Sequence, residues 1–289
     1  MFNSIELFCV IDDFFLKFEA TYWKFLKQTH HCSRARKAQL SISEIIFIAI
    51  WYKCSHINNF KAFFSWLKQD KSHLFSHLPC YQRMTHLINM HQLALHALHV
   101  ALMKGQHRSY LWIDSTTLPV CKNQRIQRHK SLASIASRGK SSMGWFYGCK
   151  LHIAMNQFGE IACSALSNGH IADIKMVEQL VEGLEAKLYA DRGYISQELK
   201  TRLKEQGIDL ITYHRKNMQA IQLSASNGYH LKQRNKIETL FSLLKGQYNL
   251  VTSRARSMHG FLSGIYASLC AYQLCHQNKP TIQIMESLA

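Results

Sequence analysis

Three acidic residues, Asp114, Asp191 and Glu238, lie far apart in the sequence but in contexts that suit metal chemistry. Asp114 and Asp191 each follow a short apolar run, the pattern of a buried strand that delivers an acid to the edge of a sheet. Three carboxylates gathered by a fold repel one another unless a cation neutralises them. Hard oxygen ligands favour Mg²⁺ or Mn²⁺, and two such ions about 3.5–4 Å apart support in-line attack on a phosphodiester by water or a 3′-hydroxyl.

The third acid stands in the stretch Arg234–Lys245, whose sequence is RNKIETLFSLLK. At about 100° per residue, Arg234, Glu238 and Lys245 fall within roughly 40° of one another on a helix, beside an apolar stripe. A carboxylate between two cations suits a divalent metal and a phosphate backbone, because the acid binds the metal and the bases bind phosphates. An amphipathic surface helix with solvated charges has the same pattern, so the interpretation depends on the residues upstream.

A large excess of basic residues indicates a polyanionic partner. The 289-residue chain has 35 Lys and Arg against 18 Asp and Glu, which gives a formal charge of +17 and a pI near 9.6. This balance favours nucleic acid as the partner. No segment reaches the roughly 18 uninterrupted apolar residues that span a bilayer, and no export signal is visible, so we expect no membrane partner. The nine cysteines lack CxxC or Cys/His ligand spacing and predict mostly buried, reduced thiols in a cytoplasmic protein.

The segment from Cys121 to Lys150 contains basic residues and no acid. Its cations are Lys122, Arg125, Arg128, Lys130, Arg138, Lys140 and Lys150. Such charges repel one another unless phosphates or carboxylates lie close, so we expect the segment to contact DNA rather than to form a solvated loop. The tetrapeptide RGKS at 138–141 resembles the end of a P-loop, but Ser134 stands where the partner glycine would be. We therefore expect no nucleotide cofactor.

Two further sets of residues allow a functional or a structural interpretation. Trp145, Phe146 and Tyr147 either stack on an unpaired base or form the start of a buried strand. His170 and Asp173, in GHIADIK, either assist a metal site and orient water or, in the case of Asp173, favour a helix N-terminus electrostatically.

The first 107 residues have apolar residues at spacings of three and four, which predicts a small all-helical N-terminal domain. Ser41 and Glu44 have the S-x-x-E spacing of a capping box. A basic turn after the first helix contains Arg34, Arg36 and Lys37. Short helices with a basic turn are compatible with a helix-turn-helix DNA binder, and also with a bundle that only packs on the rest of the chain.

Residues 108–289 change to strand patterns and predict a second domain. We expect strands at 110–113, 146–155, 160–166, 186–190 and 208–213, and helices at about 171–184, 196–206, 234–245 and 261–275. This order is an α/β arrangement in which the first three strands are antiparallel and the later ones are joined by crossovers. The first and fourth strands can then lie side by side, which brings Asp114 and Asp191 near each other.

The ordered set of Asp114 in IDST, Asp191 in ADRGY and Glu238 in RNKIETLFSLLK resembles the DDE transposases of bacterial insertion sequences. The resemblance extends from about residue 109 to 275 and includes the stretches RGKSSMGWFYGCKLH and DLITYHRKNM. It implies an RNase H-like catalytic core, with a mixed five-stranded sheet and flanking helices, preceded by the all-helical N-terminal domain.

The same resemblance implies roles for individual residues. Arg234, Glu238 and Lys245 match the R-x3-E-x6-K signature of that superfamily, with Leu231 where the signature usually has tyrosine. Asp114, Asp191 and Glu238 would hold two Mg²⁺ or Mn²⁺ ions. Arg234 and Lys245 would contact the end of the element or the scissile phosphate.

The expected activity is cleavage and rejoining of DNA at the terminal inverted repeats of an element, with transfer to target DNA, by a homo-oligomer in the bacterial cytoplasm. A nuclease that uses the same metal chemistry without strand transfer is one alternative. A DNA-binding remnant of a decayed element is another, and the presence of all three acids argues against it.

Overall fold

The computed structural model describes residues 3–29, 39–106, 108–142, 144–213, 223–250 and 255–285. The α-helices are α1 (Ser4–Gln28), α2 (Ile42–Cys54), α3 (Phe60–Asp70), α4 (Tyr81–Met90), α5 (Gln92–Lys104), α6 (Val177–Leu180), α7 (Gln197–Glu205), α8 (Ala225–Lys232), α9 (Asn235–Gly246) and α10 (Met258–Cys275). The strands are β1 (Tyr110–Cys121), β2 (Ser137–Ser141), β3 (Gly144–Asn156), β4 (Ile161–Asn168), β5 (Ala186–Ala190) and β6 (Ile208–Thr212).

Contacts divide the chain into two compact units. The first unit comprises Met1–Leu102 and Leu244–His276, and the second comprises Met103–Leu243 and Gln277–Ala289. Each unit therefore combines two separate stretches of the chain. The functional division predicted at residue 107 stays a prediction.

The first unit is helical, as the apolar periodicity predicts. The capping box at the start of α2 is confirmed, because Ser41 N–H donates to Glu44 Oε2 at 2.7 Å and Glu44 N–H donates to Ser41 Oγ at 3.1 Å. Nearly every side chain of α2 is buried, and α10 packs against both α2 and α4. The helix α4 was not predicted, and the basic turn of Arg34, Arg36 and Lys37 lies outside the described residues. No helix within the described ranges is both long and apolar enough to cross a membrane.

The second unit is built on a mixed sheet. β1 pairs with β3 in the antiparallel and with β5 in the parallel direction, and β5 continues in parallel to β6. β2 and β4 pair antiparallel with successive parts of β3. The predicted hairpin of β3 and β4 and the side-by-side placement of β1 and β5 are both confirmed. The part of the chain that the structure describes has six strands rather than the predicted five, because the short strand β2 was not foreseen.

Both faces of the sheet are covered by helices, and the alternation along β1 decides which residues each face receives. Leu111 and Ile113 lie in the core that includes apolar residues of α6 and α7. Trp112 points to the other face, where its ring stacks on Tyr189 at 5.3 Å and its Nε1–H donates to the carbonyl oxygen of His230 in α8 at 2.8 Å. The sheet is therefore sandwiched, as in other α/β folds.

Two predicted elements differ from those in the structure. β1 does not stop at Ile113 but continues to Cys121, because β3 pairs with it over that whole length. The helix predicted over 171–184 is a 3₁₀ turn at Asp173–Met176 followed by the single turn α6. Gly183 has a φ of +73°, a left-handed conformation that ends regular helix in this segment.

Candidate active site

Asp114 lies on β1, and Asp191 immediately follows β5, the parallel neighbour of β1. The pairing of β1 with β5 ends at Trp112 opposite Tyr189, and two further residues along each strand direction reach the two aspartates. Since side chains alternate along β1, the carboxylate of Asp114 belongs to the face of Trp112. The charge of Asp191 raises the pKa of Asp114, so the two carboxylates are near each other. Asp114 is thus in the middle of β1 but at the point where its parallel neighbour ends, and 24% of its side chain is exposed.

Arg234 connects the first and third acids. It lies immediately before α9, and its side chain is only 20% exposed. Its Nη1–H donates to Asp114 Oδ2 at 3.2 Å, while its Nη2–H donates to Glu238 Oε1 at 3.1 Å. The second pair is an i, i+4 contact that the helical pattern predicts. The guanidinium therefore brings an acid of the sheet and an acid of α9 together.

The pKa of Asp114 shows that the acids affect one another. Burial raises it from 3.8 to about 6, while the N–H of Ser115 and the charge of Arg234 lower it, and the charges of Asp191 and Glu238 raise it. Asp114 Oδ1 accepts from Ser115 N–H at 2.8 Å. Perturbed carboxyl groups of this kind are typical of functional sites, although ion-pair networks also produce them. Burial is therefore the main cause of the raised pKa of Asp114, and repulsion from the other two acids adds to it.

Tyr194, which the sequence did not single out as a site residue, lies beside the same acids. Its side chain is buried in the 3₁₀ turn Arg192–Tyr194 that follows Asp191. Burial raises the pKa of its hydroxyl, and the charges of Asp114, Asp173 and Asp191 raise it further. The apolar core around the ring fixes its position. In the sequence, the only indication of this role is that Tyr194 belongs to ADRGY, which begins at the end of the strand.

The three acids differ in how far the structure brings them together. The carboxylates of Asp114, Asp191 and Glu238 are oxygen donors, and donors of this type suit Mg²⁺ and Mn²⁺. Within the described ranges, no group of three or more His, Cys, Asp or Glu side chains is close enough to surround a metal ion. Two of the three acids, Asp114 and Glu238, instead accept hydrogen bonds from Arg234.

Comparison with known proteins connects this geometry with a family. A family model described as a transposase DDE domain matches residues 104–258, which is more than half of the chain. The chain belongs to the transposase DDE domain family. The match begins just before β1 and includes all three acids. The protein is therefore a DNA transposase, as the sequence predicts.

None of the curated proteins matches the transposase. The cryo-EM structure of a piggyBac transposase synaptic complex with hairpin DNA is similar with a TM-score of 0.48 and 12% sequence identity, over 83% of this chain and 67% of that one.

His170 and Asp173 make separate contacts. The backbone N–H of His170 donates to Ser137 Oγ at 3.0 Å, and its Nδ1 lies 2.9 Å from the same oxygen. Asp173 accepts from Lys150 Nζ at 2.9 Å, and its charge also acts on Tyr194. His170 therefore ties the segment after β4 to β2, whereas Asp173 belongs to the charged surroundings of the acids.

The basic residues predicted to contact DNA divide into two groups. Six of them are exposed on the 3₁₀ turn after β1, the loop that follows it and β2, namely Lys122, Arg125, Arg128, Lys130, Arg138 and Lys140. Lys150, by contrast, is buried on β3 and donates to Ile171 O and Asp173 Oδ1, each at 2.9 Å. For Lys150, the structure therefore shows the neighbouring carboxylate that the charge pattern allows as the alternative to phosphate. Lys245 lies in the last turn of α9, in the part of the helix that groups with the first unit.

The three aromatic residues at the start of β3 also divide. Phe146 and Tyr147 are buried, as expected of strand residues facing a core, whereas the side chain of Trp145 is 65% exposed. The two interpretations offered by the sequence therefore apply to different members of the same tripeptide. The exposure of Trp145 also depends on its place in the fold, since it pairs with Lys140 near the tip of the β2–β3 hairpin.

Proposed function

We propose that this transposase cleaves and rejoins DNA at the ends of an insertion sequence, using divalent ions held by Asp114, Asp191 and Glu238. The observation that supports the proposal is the contact of Arg234 with both Asp114 and Glu238, together with the effect of the Asp191 and Glu238 charges on the pKa of Asp114. Mg²⁺ or Mn²⁺, when bound, would supply activation of the attacking oxygen and stabilisation of the leaving oxygen.

The residues of the chain have complementary tasks in this proposal. The three carboxylates must be ionised to bind a cation, and Arg234 favours the ionised form of Asp114 by its charge. The buried ring of Tyr194 supports the turn that begins at Asp191. The pairing of β1 with β5 fixes Asp114 relative to the end of the strand that Asp191 follows, and in-line displacement requires such positioning.

The DNA backbone would follow the six exposed cations of the turn, the loop and β2. From Ser115 to Gly159 the sequence contains no acid, so this part of the second unit has an uncompensated positive charge. Phosphate contacts would neutralise it and would fix the position of the duplex without reading its sequence. Terminal inverted repeats as the bound DNA, and an oligomer that pairs two ends, form part of the same proposal.

The test is a cleavage and joining assay with the full-length protein. A labelled duplex made from the DNA flanking the gene is incubated with a second, unlabelled duplex and Mg²⁺. We expect cut ends and a joined product from the natural sequence, and neither product from Asp114→Asn, Asp191→Asn or Glu238→Gln. Cut ends without a joined product would identify a nuclease. Mg²⁺-dependent cutting by any of the three variants would refute the role of that acid.

A second readout tests the metal independently of activity. Mg²⁺ should raise the unfolding temperature of the wild-type protein, since a ligand that binds only the folded state stabilises it, and the rise should be much smaller in Asp114→Asn. Asp209→Asn is the matched control, because it removes the same charge at an exposed position of β6. It should retain both the products and the thermal shift.

A further inference from the structure

The exposed indole of Trp145 is held in a defined position. Its backbone carbonyl accepts from Asn123 Nδ2 at 2.9 Å, and Lys140 Nζ lies 5.9 Å from the centre of its ring. The residue before it, Gly144, has a φ of +105°, a conformation that the tip of the hairpin requires and that side chains rarely adopt. The ring is therefore presented to solvent by a paired strand rather than by a loose loop.

An open cavity of about 390 Å³ lies beside this ring. The end of β1 supplies Pro119 and Val120 to its wall, and β3 supplies Trp145 and Phe146. The volume is within the range of small-ligand sites, roughly 300–1,000 Å³. Lys122 and Asn123 complete the rim, so apolar walls are combined with a cation and an amide.

The charge around the cavity selects an anionic occupant. Lys122 and Lys140 are exposed at this end of the second unit, and the acid-free stretch from Ser115 to Gly159 includes every residue that lines the cavity. An aromatic face next to cations is the combination with which proteins bind single-stranded nucleic acid, because bases stack on the ring while phosphates contact the cations.

We propose that the cavity beside Trp145 binds an unpaired base of single-stranded DNA, which stacks on the indole while Lys122 and Lys140 contact the adjoining phosphates. The inference rests on the proposed function in one respect, that DNA is the substrate. It adds to that function a contact with a base, which the six exposed cations alone do not provide.

The distance from the acids makes this a positioning contact. Asp114 pairs with Ile153 on β3, eight residues beyond Trp145, which corresponds to at most about 27 Å along the strand. This span equals roughly eight nucleotides at about 3.4 Å each. The base on Trp145 would therefore lie on the DNA that flanks the cleaved bond and would hold that strand apart from its complement.

The experiment compares two labelled probes, the 15-nucleotide single strand dT15 and an abasic strand of the same length, which has the phosphates but no bases. The full-length protein should bind dT15 more tightly. Trp145→Ala should lower the affinity for dT15 by about 5- to 100-fold and leave the affinity for the abasic strand unchanged. Trp145→Phe should restore most of the loss. Lys140→Gln should weaken both probes equally.

Phe158→Ala is the matched control, since it removes another exposed aromatic ring from the same unit, at the turn between β3 and β4. It should bind both probes like the wild type. Unchanged binding of dT15 by Trp145→Ala, or an equal loss for both probes, would overturn the inference. A loss of self-association in Trp145→Ala, with dT15 binding intact, would assign the ring to a protein contact and would also overturn it. None of these three outcomes affects the assignment of the three acids, which the cleavage assay tests separately.

Discussion

Arg234 lies 3.2 Å from Asp114 and contacts Glu238 with its other terminal nitrogen. The sequence predicted that this arginine contacts phosphate, whereas in the structure it neutralises part of the charge of two acids. The two interpretations are compatible, because a divalent ion bound to those carboxylates would compete with the guanidinium for the same oxygens. Arg234 would then be free to contact a phosphate.

Removal of Arg234 should raise the pKa of Asp114 above its value of about 6, since the guanidinium lowers that pKa. We expect Arg234→Ala to need a higher pH than the wild type for half-maximal Mg²⁺ binding. The measurement is the Mg²⁺-induced shift in unfolding temperature as a function of pH. Arg202→Ala is the control, because Arg202 also spans two acids, Glu178 and Glu198. An unchanged profile in Arg234→Ala would show that the ion pair has no influence on the metal ligands.

The pKa of Asp114 also predicts how stability depends on pH. Its folded-state pKa of about 6 is above the ordinary 3.8, so the folded protein binds this proton more tightly than the unfolded chain does. Asp114 should therefore reduce the free energy of unfolding as pH rises from about 4 to 6, by about 2–3 kcal/mol in total.

Urea unfolding without divalent ions tests this dependence. Asp114→Asn should gain stability relative to the wild type between about pH 4 and pH 8, and Asp209→Asn should not. A constant difference between Asp114→Asn and the wild type across that range would contradict the raised pKa.

The six exposed cations should determine the salt dependence of DNA binding. For a duplex, each phosphate contact adds about 0.9 to the slope of log K against log salt. Lys130→Gln and Arg138→Gln should each reduce the slope by about one, whereas Lys204→Gln, an exposed change on α7, should leave it unchanged. Fluorescence anisotropy with a labelled duplex at several salt concentrations measures the slope. Equal slopes in all variants would place the DNA on another surface.

Gly139 on β2 should not tolerate a side chain. A Cβ atom there would lie 2.1 Å from the carbonyl oxygen of Gly169 and 2.8 Å from the ring of Phe146. We expect Gly139→Ala to lower the free energy of unfolding by about 1–3 kcal/mol and to weaken DNA binding, because β2 carries two of the cations. Gly105→Ala is the control, since a Cβ atom added there would have no atom within 4 Å. Thermal unfolding of both variants gives the comparison, and equal melting temperatures would refute it.

The sequence predicted that strands precede the two aspartates, but it did not predict where β1 ends. Apolar runs identify β1 and β5, but the continuation of β1 past Asp114 depends on its long pairing with β3, and such pairing is not encoded locally. The same reason explains why β2 was missed, since its five polar and small residues form a strand only because β3 lies beside them. Tertiary contact outweighs local preference at these places.

The residues of the candidate site also divide into those that local sequence indicates and those that only tertiary contacts reveal. The types and contexts of Asp114, Asp191 and Glu238 led the sequence analysis to group them, because both aspartates follow apolar runs and Glu238 lies beside an apolar stripe. The pairing of Lys150 with Asp173 and the position of Tyr194 required the fold, since these residues come from separate elements whose approach no spacing reveals. Exposure, which separates Trp145 from Phe146, also depends on the hairpin to which both belong.

The assembly of the first unit from two stretches of chain affects how the polypeptide is made. α10 packs on α2 and α4, yet its last residue is Cys275. On the ribosome, α2 and α4 emerge long before α10 is synthesised, so their buried apolar surfaces stay uncovered until the residues between α4 and α10 have been made. Truncation before α10 would leave those surfaces uncovered, and the shortened product should require chaperones or precipitate.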